Sequence, residues 1–294
     1  MRITLLGTGT PTPSLKRMSS GYLLRIGEDV ILLDHGPGCY HRMMQAGVQA
    51  TEVSHVFFSH LHYDHCLDYG RLLITRWDQG GDLIPDLRVY GPPHTRRMHD
   101  SLFGPDGAFG PDIAARTEHP MSVGIYHARG GQGTRPHPAP EIIELQNRDR
   151  VEGNGWTVKT ASVRHAQPYL HCFGYRVESP AGTLVYSGDA GPDKALENLA
   201  READVLIHMC QYLSGSELNE AYAESCMGHL ELAALGKTAN VANLVISHVT
   251  KQMDVPGIRE RIIAEMAEIY PGNIFFGEDL MEIPIKVPKP AKLN

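Results

Sequence analysis

Within six consecutive positions the chain places His60, His62, Asp64 and His65, and this cluster follows directly on the apolar run of residues 53–59. Such a run, short and bounded by polar residues, is expected to be a buried strand that ends where the cluster begins. A strand end anchors the backbone while letting side chains leave the core. Alternate side chains of an extended segment share a face, so His60 and His62 can aim at one point. The turn that follows swings Asp64 and His65 toward a neighbouring point. Imidazole nitrogens and carboxylates are the usual ligands of zinc and its first-row neighbours, and three such donors around one ion leave a position open for water. A single histidine here would read as an ordinary loop residue; four ligand-type residues in six positions point to two ions.

Other β-type runs stop at turn residues in the same way: residues 3–6 before Gly7-Thr8-Gly9, residues 22–26, and residues 30–33 before Asp34-His35-Gly36. Helical spacing covers 67–76, 192–203, 230–239 and 258–269, with apolar runs at 205–208 and 244–247, so strands and helices are mixed in order. Residues 98–150 stand apart, with Gly, Pro, His and Arg crowded into SLFGPDGAFGPD and HARGGQGTRPHPAP. This segment is expected to be a long irregular insertion, a candidate lid, in a single domain spanning 1–294. The net charge of −7 counts against broad binding to nucleic-acid phosphates. Five cysteines without CxxC spacing, and no secretory or membrane-spanning segment, fit a reduced protein of the cytoplasm.

The pattern His60-x-His62-x-Asp64-His65 resembles the HxHxDH signature of the metallo-β-lactamase-fold hydrolases, and the likeness continues along the chain. Asp34-His35-Gly36 is similar to their early Asp-x-Gly element. Val-Arg-His165-Ala, Tyr-Ser-Gly-Asp189 and Val-Ile-Ser-His248 supply the later His, Asp and His in the family's order. The resemblance implies an α+β fold of four layers, α/β/β/α, with two mixed sheets face to face and the metals at one edge. It further implies that His60, His62 and His165 hold one metal, Asp64, His65 and His248 the other, that Asp189 bridges both, and that Asp34 orients a ligand from behind. Two Zn2+ are the expected cofactors, with Mn2+ or Fe2+ as alternatives. His171 competes with His165 for the third position, but the Val-x-His setting favours His165. His35, His94, His99, His119, His127 and His137 are expected to lie outside the ligand set.

Within that superfamily, Gly7-Thr8-Gly9-Thr10-Pro11 and Gly228-His229-Leu230 look most like the branch of tRNA 3′-processing ribonucleases and arylsulfatase-like enzymes. The equivalent of His229 there is placed to help the leaving group or the substrate's developing charge, so His229 joins Asp64 as a catalytic candidate. Three departures stand against tRNA. The ribonucleases' PxKxRN loop is broken at residues 13–20, their His-Glu-Ala-Thr reads His208-Met209-Cys210-Gln211, and only 24 positions separate His165 from Asp189, where they insert a tRNA-gripping arm. Paired cations lower the pKa of a shared water from roughly 15.7 toward neutrality, so hydrolysis is the expected reaction. The reading reached is a dinuclear zinc hydrolase of a small organic ester, lactone or amide, with Tyr63, Trp77, Tyr169 and Tyr212 as rim candidates. A phosphodiesterase or ribonuclease is the alternative, and a non-catalytic metal-binding regulator a third. Neither nucleic acid nor membrane is an expected partner, and a homodimer, common among such relatives, stays open.

Overall fold

The computed structural model describes residues 1–81 and 83–287. The strands run β1 (Arg2–Gly7), β2 (Gly21–Ile26), β3 (Asp29–His35), β4 (His55–Phe57), β5 (Arg88–Gly91) and β6 (Glu141–Glu144), then β7 (Arg150–Gly153), β8 (Trp156–Ser162), β9 (Phe173–Ser179), β10 (Gly182–Tyr186), β11 (Val205–Met209), β12 (Asn243–Ser247), β13 (Asn273–Phe276) and β14 (Glu282–Ile283). They build two sheets, ordered β14-β1-β2-β3-β4-β5-β6 and β13-β12-β11-β10-β9-β8-β7. Each sheet follows one plan: antiparallel pairing at its start in β1 to β3 and β7 to β10, then parallel pairing through β3 to β6 and β10 to β13.

Burial at a period of two decides how the sheets are covered. Ile31, Leu33 and Phe57 from one sheet meet Val177, Leu184, Tyr186 and Ile207 from the other in a single core between them. The alternate residues Leu32 and Val56 point outward, beneath α1 (Cys39–Gln45) and α3 (Tyr69–Gly80), the latter preceded by the one-turn α2 (Tyr63–Cys66). On the far side Leu206, Leu244 and Ile246 do the same beneath helices of the second half. Strands apolar on both faces need cover on both, which is why the layers come out as helix, sheet, sheet, helix. This is the four-layer α+β sandwich that the sequence led us to expect.

Residues 98–150 differ from the expectation of an irregular segment. They contain most of α4 (Thr95–Phe103), together with α5 (Gly110–Glu118), α6 (Pro120–Ala128) and β6 at the sheet edge. Phe103, Ile113 and Ile142 are buried in the core layer under the first sheet. The reason lies in the prolines, which occupy the first turn of α5 and of α6, where a missing N–H costs nothing. Gly and Pro here punctuate short helices. The segment is tied to α3 through Asp78, which pairs with Arg116 at 3.0 Å, Arg129 at 2.8 Å and Arg135 at 2.9 Å, while the Arg135 guanidinium lies 3.9 Å from the centre of the Trp77 ring.

The second half adds α7 (Lys194–Ala200), α8 (Glu220–Ser225), α9 (His229–Thr238) and α10 (Ile258–Ile269). Among the described residues no helix is long and apolar enough to cross a membrane.

Candidate metal centre

The loops that leave the C-terminal ends of β3, β4, β10, β11 and β12 converge at one edge of the sandwich, the usual place for ligands of parallel strands. The strand before the histidine cluster is shorter than expected: β4 stops at Phe57, and Phe58 and Ser59 lead from it to His60. Gly36 allows the approach of this loop, because a Cβ there would lie 1.9 Å from the carbonyl oxygen of Asp64. Two residues of the site, Asp34 (φ 56°) near the end of β3 and His248 (φ 50°) just after β12, hold left-handed backbone that non-glycine residues rarely adopt.

Side chains from across the chain gather into two groups. His60, His62, His165 and Asp189 form one, and Asp64, His65 and His248 the other, each with its ligand atoms within 4.8 Å of one another. Asp189 lies between the groups: its Oδ2 is 3.4 Å from His65 Nε2, 3.2 Å from His248 Nε2 and 3.7 Å from His165 Nε2. Asp64 Oδ2 sits 3.4 Å from both His65 Nε2 and His248 Nε2. All of these residues are buried except His62 and His165, which are half-buried. His171 is exposed and stands outside both groups, as do His35, His94, His99, His119, His127 and His137.

Four imidazoles are oriented from behind in the same way. His60 Nδ1 donates to Ser59 Oγ (3.0 Å), whose own proton goes to Asp34 Oδ2 (2.6 Å). His65 Nδ1 donates to Asp34 Oδ2 (2.7 Å), His165 Nδ1 to the Ser225 carbonyl (2.9 Å) and His248 Nδ1 to Gln211 Oε1 (2.8 Å). Each ring thereby turns its Nε2 inward. The Nε2 atoms of His65 and His165 are buried and have no hydrogen-bond partner of their own. Buried nitrogens left in that condition are costly; His35, His55 and His208 hold such atoms too, but of these only those of His65 and His165 lie among other ligand-type atoms.

The electrostatics agree. Burial pushes His60 well below the usual histidine range, and His65 beside it pushes further, so its ring stays neutral. Burial would raise Asp189, but His248 and His65 more than reverse this and hold its carboxyl well below the usual carboxylate range. Asp64 is likewise lowered against its burial, by its hydrogen bond with His248 and by the neighbouring His65. His65 is the exception: burial would lower it, but Asp189 and Asp34 more than reverse this and hold it well above the usual histidine range, so its ring would release a proton on meeting an ion. Neutral imidazole and ionised carboxylate are the forms that ligate metal. The donor set therefore fits divalent cations.

The two catalytic candidates separate. Asp64 lies within the second group, whereas His229 lies in neither. His229 is buried at the start of α9, accepts the Ser214 N–H at Nδ1 (3.0 Å) and donates from Nε2 to Glu265 of α10 (2.7 Å), so both ring nitrogens are engaged. Of the rim candidates, Tyr63 and Tyr169 are exposed, Tyr212 is buried, and Trp77 lies beneath Arg135. The orienting partners Gln211 and Ser225 carry no motif that marks them in the sequence as site residues. The one signal for Gln211 is its place just beyond β11, in the stretch His208-Met209-Cys210-Gln211 that stands where the ribonucleases have His-Glu-Ala-Thr.

Comparison with known proteins adds what geometry leaves open. Residues 30–249 match the family model described as a beta-lactamase superfamily domain. A protein named Ribonuclease Z from Mycobacterium sp. (strain KMS) is 33% identical over 291 residues, covering 97% of this chain and 96% of the relative. Another of that name from Mycobacterium bovis (strain BCG / Pasteur 1173P2) is 32% identical, covering 97% and 98%. Among solved structures, a metallo-beta-lactamase fold protein from Bacillus subtilis superimposes with a TM-score of 0.72 at 18% identity, covering 96% of this chain and 99% of that one. The short form of human tRNase Z gives 0.67 at 20%, covering 98% and 100%, a likeness of fold.

These findings overturn two expectations. Relatives matched over nearly their whole length are named as ribonucleases, against the small organic ester, lactone or amide as substrate and against the exclusion of nucleic acid as partner. The exclusion rested on three motif departures, all outside the two ligand groups, and on net charge, which sums over the whole surface and says nothing of the few square nanometres around a site.

Proposed function

The chain belongs to the beta-lactamase superfamily, nearest its tRNA 3′-processing branch, and is a metal-dependent hydrolase; from that premise we propose that it is a ribonuclease, hydrolysing a phosphodiester bond in RNA of the tRNA class. The observation that carries this reading is the inward-turned set of Nε2 atoms, with Asp64 and Asp189, in a chain whose relatives over 97% of its length are named Ribonuclease Z. In this reading His60, His62, His165 and Asp189 hold one ion, Asp64, His65 and His248 the second, and Asp189 reaches both. Zn2+ is the ion that suits imidazole and carboxylate donors best, with Mn2+ or Fe2+ able to replace it. Divalent ions, when bound, supply Lewis acidity toward water and a phosphoryl oxygen.

The chain's own residues fix the ligands and shape the entrance. Asp34 and Ser59 set the rings of His60 and His65; Tyr63 is held at the rim by its hydroxyl, which donates to the Pro11 carbonyl at 2.9 Å. A cavity whose walls include Thr12, Leu15, Lys16, Val249, Lys251 and Asp254 takes in the residue after His248; the Lys16 ammonium there is paired with Asp254 at 2.8 Å, and the exposed Lys251 is offered to an RNA backbone. The 24 positions from His165 to Asp189 hold a loop and the β9–β10 hairpin, so RNA is gripped here without an arm at that place. Five free, buried cysteines support an address in the reducing cytoplasm.

The test is cleavage of a 3′-extended tRNA transcript by purified metal-loaded protein, with a His60→Ala, His62→Ala variant alongside. The reading expects trimming at the 3′ end, lost in the variant and on removal of metal. Protein that holds metal yet leaves the transcript whole would refute it.

A further inference from the structure

His229 is the one catalytic candidate that the ligand groups leave out, and its surroundings give it a different task. Its Nδ1 accepts the Ser214 N–H at 3.0 Å, which fixes the proton on Nε2, and that proton goes to Glu265 Oε2 at 2.7 Å. Glu265 is held in turn by Arg261, whose Nε lies 2.7 Å from the other carboxylate oxygen. With the ring 1% exposed and both nitrogens spent, it has no atom to offer a substrate.

The bonds around it join two stretches of chain. Gln211 N donates to the Met227 carbonyl (2.8 Å), Tyr212 forms a β-bridge with Gly228, and Leu230 N donates to Ser214 Oγ (2.9 Å), whose hydroxyl donates to Glu231. Residues 211–214 and 225–231 are thus zipped together, with His229 as the pin that fastens both to α10. Each stretch delivers one acceptor to the metal centre: Gln211 Oε1 takes the Nδ1 proton of His248, and the Ser225 carbonyl takes that of His165. His248 and His165 lie in different ligand groups.

We propose that His229 is a positioning residue: it locks the 211–214 and 225–231 stretches together and so fixes the rings of His248 and His165, one ligand from each group, without touching the RNA. This rests on the ligand assignment proposed above. The failure of that assignment shows separately, as wild-type protein that retains no metal.

The experiment compares full-length wild type, His229→Ala, His229→Asn, Gln211→Leu and the His229→Ala, Gln211→Leu double variant. Ions retained per chain are read against graded chelator, and the visible spectrum of Co2+-loaded protein reports ligand geometry. His229→Ala and Gln211→Leu should each weaken retention by about tenfold or more and alter the Co2+ bands. The double variant should lose less than the product of the single losses, because both act on the ring of His248. His229→Asn keeps an acceptor for the Ser214 N–H and should recover much of the retention; it also carries the test if the alanine variant fails to fold. Hydrolysis of bis(p-nitrophenyl) phosphate, whose leaving group departs without a proton, should fall in step with RNA cleavage. Unchanged metal retention and Co2+ spectrum, with activity lost on RNA alone, would make His229 a proton donor and overturn the proposal, as would an asparagine variant no better than alanine.

Discussion

His65 Nδ1 donates to Asp34 Oδ2 across 2.7 Å, and neither side chain has any exposed surface. The same carboxylate oxygen also accepts from the Ser59 hydroxyl (2.6 Å) and the Tyr186 hydroxyl (2.5 Å), while Oδ1 takes the Ser59 N–H (2.7 Å). One carboxylate therefore sets ligand rings on the first sheet's loop and fastens that loop to β10 of the second. Replacing it with a neutral group leaves several buried donors competing for fewer lone pairs. Asp34→Asn is expected to weaken metal retention by about 10- to 100-fold and to lower stability by on the order of 3 kcal/mol, since a buried network loses its charge. Metal titration and chemical denaturation check the two effects; a variant that retains metal like the wild type would remove Asp34 from the site.

The third ligand of the first group is decided by comparing two histidines six positions apart. His165 lies in that group and His171 is exposed outside it. His165→Ala should bind about one ion fewer per chain and lose most activity, whereas His171→Ala should match the wild type in both. Elemental analysis of the two purified variants gives the answer, and a reversed pattern would transfer the role to His171.

Acid should loosen the loop around residues 14–17. Asp254 pairs with Lys16 at 2.8 Å and with Arg17 at 2.9 Å; its burial is outweighed by hydrogen bonds from Arg17 and Lys16, which bring its carboxyl down to about 2. A carboxylate lowered in the folded state contributes stability that is complete above its ordinary value near 3.8 and is lost as pH falls toward 2. The contribution is of order 1–2 kcal/mol, because Lys16 is exposed and its share is screened. Denaturation curves of wild type and Asp254→Asn should converge between about pH 4 and 2. A gap that stays constant across that range would show that the pair does not titrate as the geometry implies.

The segment over residues 104–137 should be a docked cap, held by Asp78. Arg135 is 2% exposed in its side chain, and Asp78 is its carboxylate partner. Removing a buried partner costs on the order of 3–5 kcal/mol, and here the cost is expected to fall on the segment itself. Hydrogen exchange of Asp78→Asn should speed up across α5 and α6 and leave the sheets unchanged. Exchange that is already fast in the wild type would show a mobile lid instead.

The seven residues that gather into the two groups were legible in the sequence because they sit beyond apolar runs, and a strand end is a local signal. The orienting partners were not. The acceptor for His248 comes from 37 positions away and that for His165 from 60, and the second is a backbone carbonyl that any residue could supply. The helices within residues 98–150 were hidden by their own punctuation, since Pro at a helix start and Gly between helices read in sequence as loop. His229 shows a further limit: a motif match located the residue, but only the structure shows that Ser214 and Glu265 have taken both of its nitrogens.

The sheets share one plan, and each ligand group draws on both. His60 and His62 come from the chain before β7 and are joined by His165 and Asp189 from after it; Asp64 and His65 are likewise completed by His248. Neither half, made as a separate polypeptide, would own either group entire. If the proposed ligand assignment holds, a chain cut between β6 and β7 would take up ions only by reassembly, so metal uptake on mixing the two fragments would itself report their docking.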